Sequence, residues 1–406
     1  MSRIRIKNFG PIKEGFKDAD GNDWMDIKKI TVFIGNQGSG KSTVAKLYST
    51  FSWMEKALSR GDLTMNYLSS YNRFRKEYCG YQRLHNYFRS DGSTELHYIG
   101  RNYIFHYHQD RLVIERNVPD PDYLRPKIMY VPAERNFLSA IVEPEKVKGM
   151  PPTLKEFGLE VNNAYSLYGQ GKSLPFKKIN FRYDKQNKIP WIVGEGYELR
   201  LSEAASGYQS FIPLFLVSEF LIQELAKPAS EVEGSLSAEE EKRLKKEVEA
   251  ILNNDSLLPE LRRAALQKLT SKYRNKSFLN IVEEPEQNLF PSSQRTILNE
   301  LIKCTNQMIG NQLILTTHSP YILTSLNNLM YAYNVGKENY EKTDKIIPSK
   351  YWLNPNDVSI FKLIDGKSES IIDEELKQIK VEEIDEISEI LSNQWHQMAE
   401  FNLVKD

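Results

Sequence analysis

The sequence has only two cysteines in 406 residues, Cys79 and Cys304, and neither sits in a Cys-x-x-Cys pair or near a histidine at ligand spacing. A disulfide framework and a zinc module are both excluded. An excess of charge is also lacking, since 54 Lys and Arg stand against 54 Asp and Glu. The chain as a whole therefore offers no electrostatic funnel for a polyanion, and nucleic-acid binding would need a local patch. No window reaches about 18 uninterrupted apolar residues, the length a membrane helix needs. The opening MSRIRIKNFG is polar and alternating rather than a charged head before an apolar core. These features predict a cytoplasmic protein with no membrane partner. Internal repeats and low-complexity segments are missing too. With 40% hydrophobic and 27% charged residues the chain is of ordinary globular make-up. Its length suits two or three lobes, or one α/β domain with insertions, and either can bury an ample core.

Residues 3–9 alternate polar and apolar as a half-buried strand does, and residues 18–23 read as the turn to a second strand. An antiparallel edge is expected to open the fold. Residues 29–34 run apolar and β-branched into a glycine-rich loop, and residues 43–58 then carry apolar positions at helical spacing. This is strand, loop, helix. Residues 60–110 interleave tyrosines, phenylalanines and arginines and read as an inserted subdomain, helices first and strands around 97–108. Residues 128–131 form a short strand stopped by Pro132, and residues 148–181, punctuated by Pro and Gly, read as loop and short helix. Residues 201–225 begin small and polar, then become a strongly apolar helix. Residues 228–277, including EEEKRLKKEVE, read as a charged helical arm, and residues 366–406 as an acidic helical tail. Buried strands at 278–282 and 312–316 flank a helix at 292–304. The alternation predicts an α/β fold built on a mainly parallel sheet.

Four short segments carry chemistry. Gly35-Asn36-Gln37-Gly38-Ser39-Gly40-Lys41-Ser42, followed by Thr43, has the full G-x-x-x-x-G-K-[ST] spacing between a strand and a helix. Its glycines let backbone N–H groups converge on phosphate oxygens, and the helix that follows points its positive end at the same anion. Lys41 should reach the β- and γ-phosphates of ATP, and the Ser42 hydroxyl should face Mg²⁺. The second segment, 279–286, is an apolar strand ending in Glu283-Glu284-Pro285-Glu286. Neighbouring strand residues face opposite ways, so the two carboxylates divide the work. Glu283 is placed to hold the magnesium through water, and Glu284 to orient the attacking water. Third, the buried strand 313–317 delivers His318 to its polar end, where open α/β sheets bind ligands. A neutral imidazole there could donate to the γ-phosphate. Fourth is Ala205-Ser206-Gly207-Tyr208-Gln209 before the apolar helix, which taken alone would be a simple cap.

The order of these segments resembles the ATP-binding-cassette ATPase superfamily, with an ABC-type core across residues 1–406 interrupted by insertions. The resemblance implies a P-loop NTPase fold and hydrolysis of ATP to ADP and phosphate. It implies that Ser206, Gly207 and Gln209 form a signature motif touching the ATP held by a second copy, in a head-to-tail homodimer or higher homo-oligomer. Glu284 corresponds to the catalytic glutamate, His318 to the switch histidine, and residues 287–290 to the loop that crosses between subunits. In detail the chain is similar to the RecF, SMC and OLD branch, through residues 3–9 and through Glu283-Glu-Pro-Glu with Asn288-Leu289-Phe290-Pro291. Three departures stand out. Glu283 replaces an aspartate, and Tyr130-Val-Pro-Ala-Glu134-Arg135 stands where a glutamine loop is expected, leaving that contact to Glu134 or Arg135. Only a short acidic tail follows His318, where OLD proteins carry a nuclease domain. The implied protein is a stand-alone ATPase acting through a protein effector, as in two-component anti-phage systems such as Septu and PARIS. The alternative is a DNA-maintenance ATPase that binds DNA through residues 71–89, where Arg73, Arg75, Lys76, Arg83 and Arg89 alternate with aromatics. A transporter subunit fits poorly without a glutamine loop, and a small-molecule kinase leaves Ser206 and His318 without a role.

Overall fold

The structure, a computed structural model, describes residues 1–227 apart from 19, 142 and 177, then 238–253 and 274–380, with single positions within 262–269 and 392–396. Its centre is a seven-stranded sheet in the order Gly15–Phe16, Lys367–Ser370, Val358–Ile364, Ile30–Gly35, Gln312–Thr317, Ser277–Glu283 and Pro126–Val131. The five strands from Val358–Ile364 to Pro126–Val131 run parallel. All seven residues of Ser277–Glu283 are buried, as a strand covered on both faces requires. Alternation assigns its side chains to two cores. Ile281 joins one with Phe33 and Ile314, while Val282 joins the other with Val32 and Leu315.

The first core is closed by the helix Lys41–Arg60, whose Val44, Leu47, Phe51 and Met54 are fully buried between the parallel sheet and a second sheet. Each such side chain contributes about 1.5–3 kcal/mol of burial. The second sheet has five antiparallel strands, ordered Met25–Ile27, Ser2–Lys7, Glu95–Ile99, Tyr103–His108 and Arg111–Arg116. The expected pairing of the opening strand with a following one is present, in Ser2↔Ile27. Its other edge pairs with Glu95–Ile99, so residues 95–108 complete this sheet rather than forming a separate inserted unit. On the far side of the parallel sheet lie the helices Pro152–Leu167, Ser206–Ala226, Pro291–Asn306 and Pro320–Gly336.

Two expectations are corrected. Residues 148–181 hold a sixteen-residue helix and the first strands of a four-stranded antiparallel sheet, Lys172–Ser173 and Asn180–Asp184. Pro152 sits at the first helical position, where its fixed φ and missing N–H favour a helix start. The described part of the acidic tail, 366–380, is not helical: Lys367–Ser370 adds to the main sheet and Ile372–Asp373 pairs with Gln378–Ile379. The rest of the tail lies outside the described residues, save single positions. Of the charged arm, Ala238–Leu252 is a helix, and most of the remainder also lies outside them.

Candidate nucleotide site

The parallel register brings the chemistry to one end of the sheet. Gly35 lies opposite Leu363, Ile34 opposite Thr317, and Thr316 opposite Glu283, so the glycine loop, His318 and the acid pair leave neighbouring strands together. Gly35, Gly38 and Gly40 have φ of 149°, 76° and 107°, conformations open to glycine. A Cβ on Gly35 would stand 2.2 Å from the Leu363 carbonyl oxygen. Asn36, Gln37 and Gly38 are exposed, Ser39 and Ser42 are half-buried, and Thr43 is buried. The helix Lys41–Arg60 begins after Gly40 without a side-chain cap, leaving backbone donors directed out of its first turn.

Lys41 is buried, and its Nζ donates to the carbonyls of Gly35 at 2.7 Å and Asn36 at 2.9 Å. It also lies 3.4 Å from His318 Nδ1. Burial lowers the Lys41 pKa, and the charges of Glu284, Glu286 and Glu283 oppose that shift. His318 Nε2 is 3.0 Å from Glu284 Oε1. An ammonium has only donors to offer, so Nδ1 accepts and Nε2 carries the proton given to Glu284. The hydrogen bond from His318 is the main reason the Glu284 carboxyl is held below the usual carboxylate range. Burial works against it, and the charges of Lys41 and Arg135 add to the lowering. Glu284 has φ 45°, an uncommon conformation for a residue with a side chain and one that recurs at functional turns. Its N–H donates to Thr316 O at 2.9 Å.

Glu283 faces the other way, as adjacent strand positions should. Its Oε1 accepts from the Tyr130 hydroxyl at 2.6 Å, its Oε2 from the Ala133 N–H at 3.2 Å, and Lys46 Nζ stands 3.8 Å off. Lys46 is one helical turn beyond Ser42, which directs Glu283 toward the same helix face.

The reading of Arg135 as a stand-in for the glutamine loop is overturned. Arg135 is fully buried, and its guanidinium donates to the carbonyls of Ser210, Pro132, Glu283 and Glu284. Four of its five N–H donors are thus committed to the main chain. Glu134 is exposed. Arg135 instead ties the start of the helix Ser206–Ala226 to the acid turn, a role no local pattern announces. Ser206 is exposed at that helix start, and a Cβ on Gly207 would lie 3.0 Å from Asn288 O. Gln209 is held within the chain, accepting from Ser139 and donating to Ser202 O and Ala204 O. Glu286 was not singled out from the sequence either. It is half-buried, and its Oε1 accepts from the Thr317 hydroxyl at 2.8 Å and the His318 N–H at 2.7 Å.

Residues 133–323 match the AAA ATPase domain family. The matched span holds Ser206, Glu283, Glu284 and His318, while the loop from Gly35 to Thr43 precedes it. The match and the phosphate-loop sequence support ATP hydrolysis at a general level. A 66-residue stretch is 38% identical to the phosphate import ATP-binding protein PstB of Spiroplasma kunkelii, covering 16% of this chain and 24% of that protein. The match thus spans about a quarter of that relative's length. Among solved structures, the SMC head domain from Thermotoga maritima is similar at 11% identity and a TM-score of 0.35, covering 91% of this chain and 97% of that one. The dimeric post-hydrolysis ATP-binding cassette MJ0796, bound to ADP and Pi, is similar at 12% identity and 0.31, with 91% and 98% covered. Among the described residues no helix is long and apolar enough to cross a membrane.

Proposed function

We propose that the protein is an ABC-type ATPase that binds ATP with magnesium, joins head to tail with a second copy around the nucleotide, and through that cycle regulates a protein effector in bacterial anti-phage defence. The observation that carries the catalytic part is the chain of contacts Lys41, His318, Glu284, which unites three motifs remote in sequence. Lys41 exchanges the Gly35 and Asn36 carbonyls for phosphate oxygens. Glu284, kept ionised by His318, orients the attacking water and takes up its proton. Ser42 and Glu283 fit a magnesium site, being one hydroxyl and one carboxylate of hard oxygen character. Both Glu283 oxygens already accept hydrogen bonds, which favours a hold through water. The ion, when bound, neutralises charge on the phosphates.

The exposure of Ser206, and of Phe290 at 75%, supports a contact with a second copy at this face. The effector and the defence role rest on the sequence resemblance. The test is Glu284→Gln, which should bind Mg-ATP without turnover and accumulate as a dimer in light scattering. Full turnover would remove Glu284 from this role. Ser206→Arg should keep ATP binding as a monomer, and equal loss of binding and assembly would argue against a contact in trans. Mass spectrometry of copurifying proteins with and without ATP checks the effector, and finding no nucleotide-dependent partner would refute it.

A second reading, direct DNA binding, is favoured by one feature. The Arg73 guanidinium stacks 4.0 Å from the Tyr67 ring centroid and 5.0 Å from that of Tyr71, which is 84% exposed. Of the other aromatics of the segment, Tyr81 and Tyr87 are also exposed, while Phe74 and Phe88 are buried. Salt-dependent binding of single-stranded DNA that survives Arg73→Glu would rule this surface out.

A further inference from the structure

The turn that follows the acid pair contains a third carboxyl, and its geometry is that of a bracket. The Glu286 side chain is half-buried, and a single oxygen, Oε1, receives both the Thr317 hydroxyl and the His318 backbone N–H. The turn itself is braced by Gln287 N–H to Glu284 O and Leu289 N–H to Glu286 O, each 3.0 Å. One residue on from Thr317, the His318 ring spans Lys41 and Glu284. We propose that Glu286 is a positioning residue for the hydrolytic step, fixing the main chain at His318 as a hydrogen-bond acceptor and so setting the imidazole that grips Glu284.

This rests on the roles given above to His318 and Glu284. The second carboxyl oxygen, Oε2, is buried without a hydrogen-bond partner. A negative charge shared with an unsolvated oxygen is strongly disfavoured, and burial accordingly pushes the Glu286 pKa up. A glutamine of the same shape keeps an acceptor oxygen for the Thr317 hydroxyl and the His318 N–H, and a leucine does not.

The experiment compares Glu286→Gln with Glu286→Leu by steady-state ATP hydrolysis and by NMR of the His318 imidazole in the nucleotide-free protein. Glu286→Gln should keep kcat within about threefold and leave the His318 signals in place. Glu286→Leu should lose about tenfold or more in kcat, shift those signals, and leave KM for ATP within about twofold. Wild-type kcat and unmoved signals in Glu286→Leu would overturn the proposal, as would a Glu286→Gln variant as slow as Glu286→Leu. Should Glu286→Leu not fold, Thr317→Val removes one of the two donors with shape kept. It should show the same split at smaller size, and unchanged kcat and signals there would overturn the proposal too. If the wild-type protein hydrolyses no ATP, the ATPase reading falls, while the His318 signals still decide whether Glu286 positions that residue.

Discussion

Replacing Arg135 by methionine removes a charge that no solvent reaches, and its effect can be worked from the contacts. The guanidinium makes three short hydrogen bonds, to Ser210 O at 3.1 Å, Glu283 O at 2.7 Å and Glu284 O at 2.7 Å, and a weaker one to Pro132 O at 3.4 Å. A buried carbonyl left without its donor costs about 1–3 kcal/mol, so the three short bonds together represent roughly 6 kcal/mol. Against this stands the burial of the guanidinium, which pushes its pKa down to about 10 from 12.5. That shift corresponds to on the order of 3 kcal/mol of unfavourable desolvation, relieved in the variant. The net loss is about 3 kcal/mol, a large fraction of the stability of an ordinary domain. For a chain of this size it should lower Tm by about 3–4 °C. The same substitution frees the carbonyls on which the acid turn hangs, so kcat should fall further than stability alone explains. Differential scanning fluorimetry and a phosphate-release assay measure both. A variant that melts within about 1 °C of wild type and hydrolyses ATP at the same rate would refute the assignment of Arg135 as the tie between the acid turn and the helix Ser206–Ala226.

Two further outcomes follow from the site. Lys41→Ala should weaken ATP binding by about a hundredfold in calorimetry, since it deletes the buried cation beside the loop carbonyls, and retained affinity would contradict the phosphate cradle. Glu286 has a folded pKa raised above its ordinary 4.5, so it holds a proton the unfolded chain has released, and its contribution is full below that value and lost as pH rises through the folded pKa. Glu286→Gln should therefore gain stability relative to wild type as pH rises above about 4.5 in urea titrations, and parallel pH profiles would refute this. Glu284, whose pKa is depressed, acts in the opposite sense, its contribution being present above 4.5 and lost on acidification through the folded value.

What the sequence made legible was whatever chemistry fixes at short range. The glycine spacing around Lys41, the apolar strand into Glu283 and Glu284, and the strand ending at His318 each stand in one continuous segment, and the parallel sheet that joins them follows from strand and helix alternating. The misreadings have physical causes. The strand Ser2–Lys7 shows its periodicity, yet its second partner, Glu95–Ile99, lies far along the chain, and no local pattern states that pairing. Pro152 looks like punctuation, although Leu154, Phe157, Val161, Ala164 and Tyr165 repeat at helical spacing behind it. Arg135 and Glu286 escape a linear reading because their partners come mostly from distant segments, main-chain carbonyls for Arg135 and the Thr317 hydroxyl and His318 N–H for Glu286.

The strand that feeds the glycine loop is flanked by Gln312–Thr317 on one side and Val358–Ile364 on the other. Both neighbours are synthesised long after it. At ribosomal speeds of about 5–20 residues per second, some tens of seconds separate the emergence of the loop from the arrival of the walls that shape it. A nascent chain thus carries the sequence of a nucleotide trap without its shape, and shorter products interrupted before these walls emerge would present an open, apolar strand edge rather than a half-working enzyme.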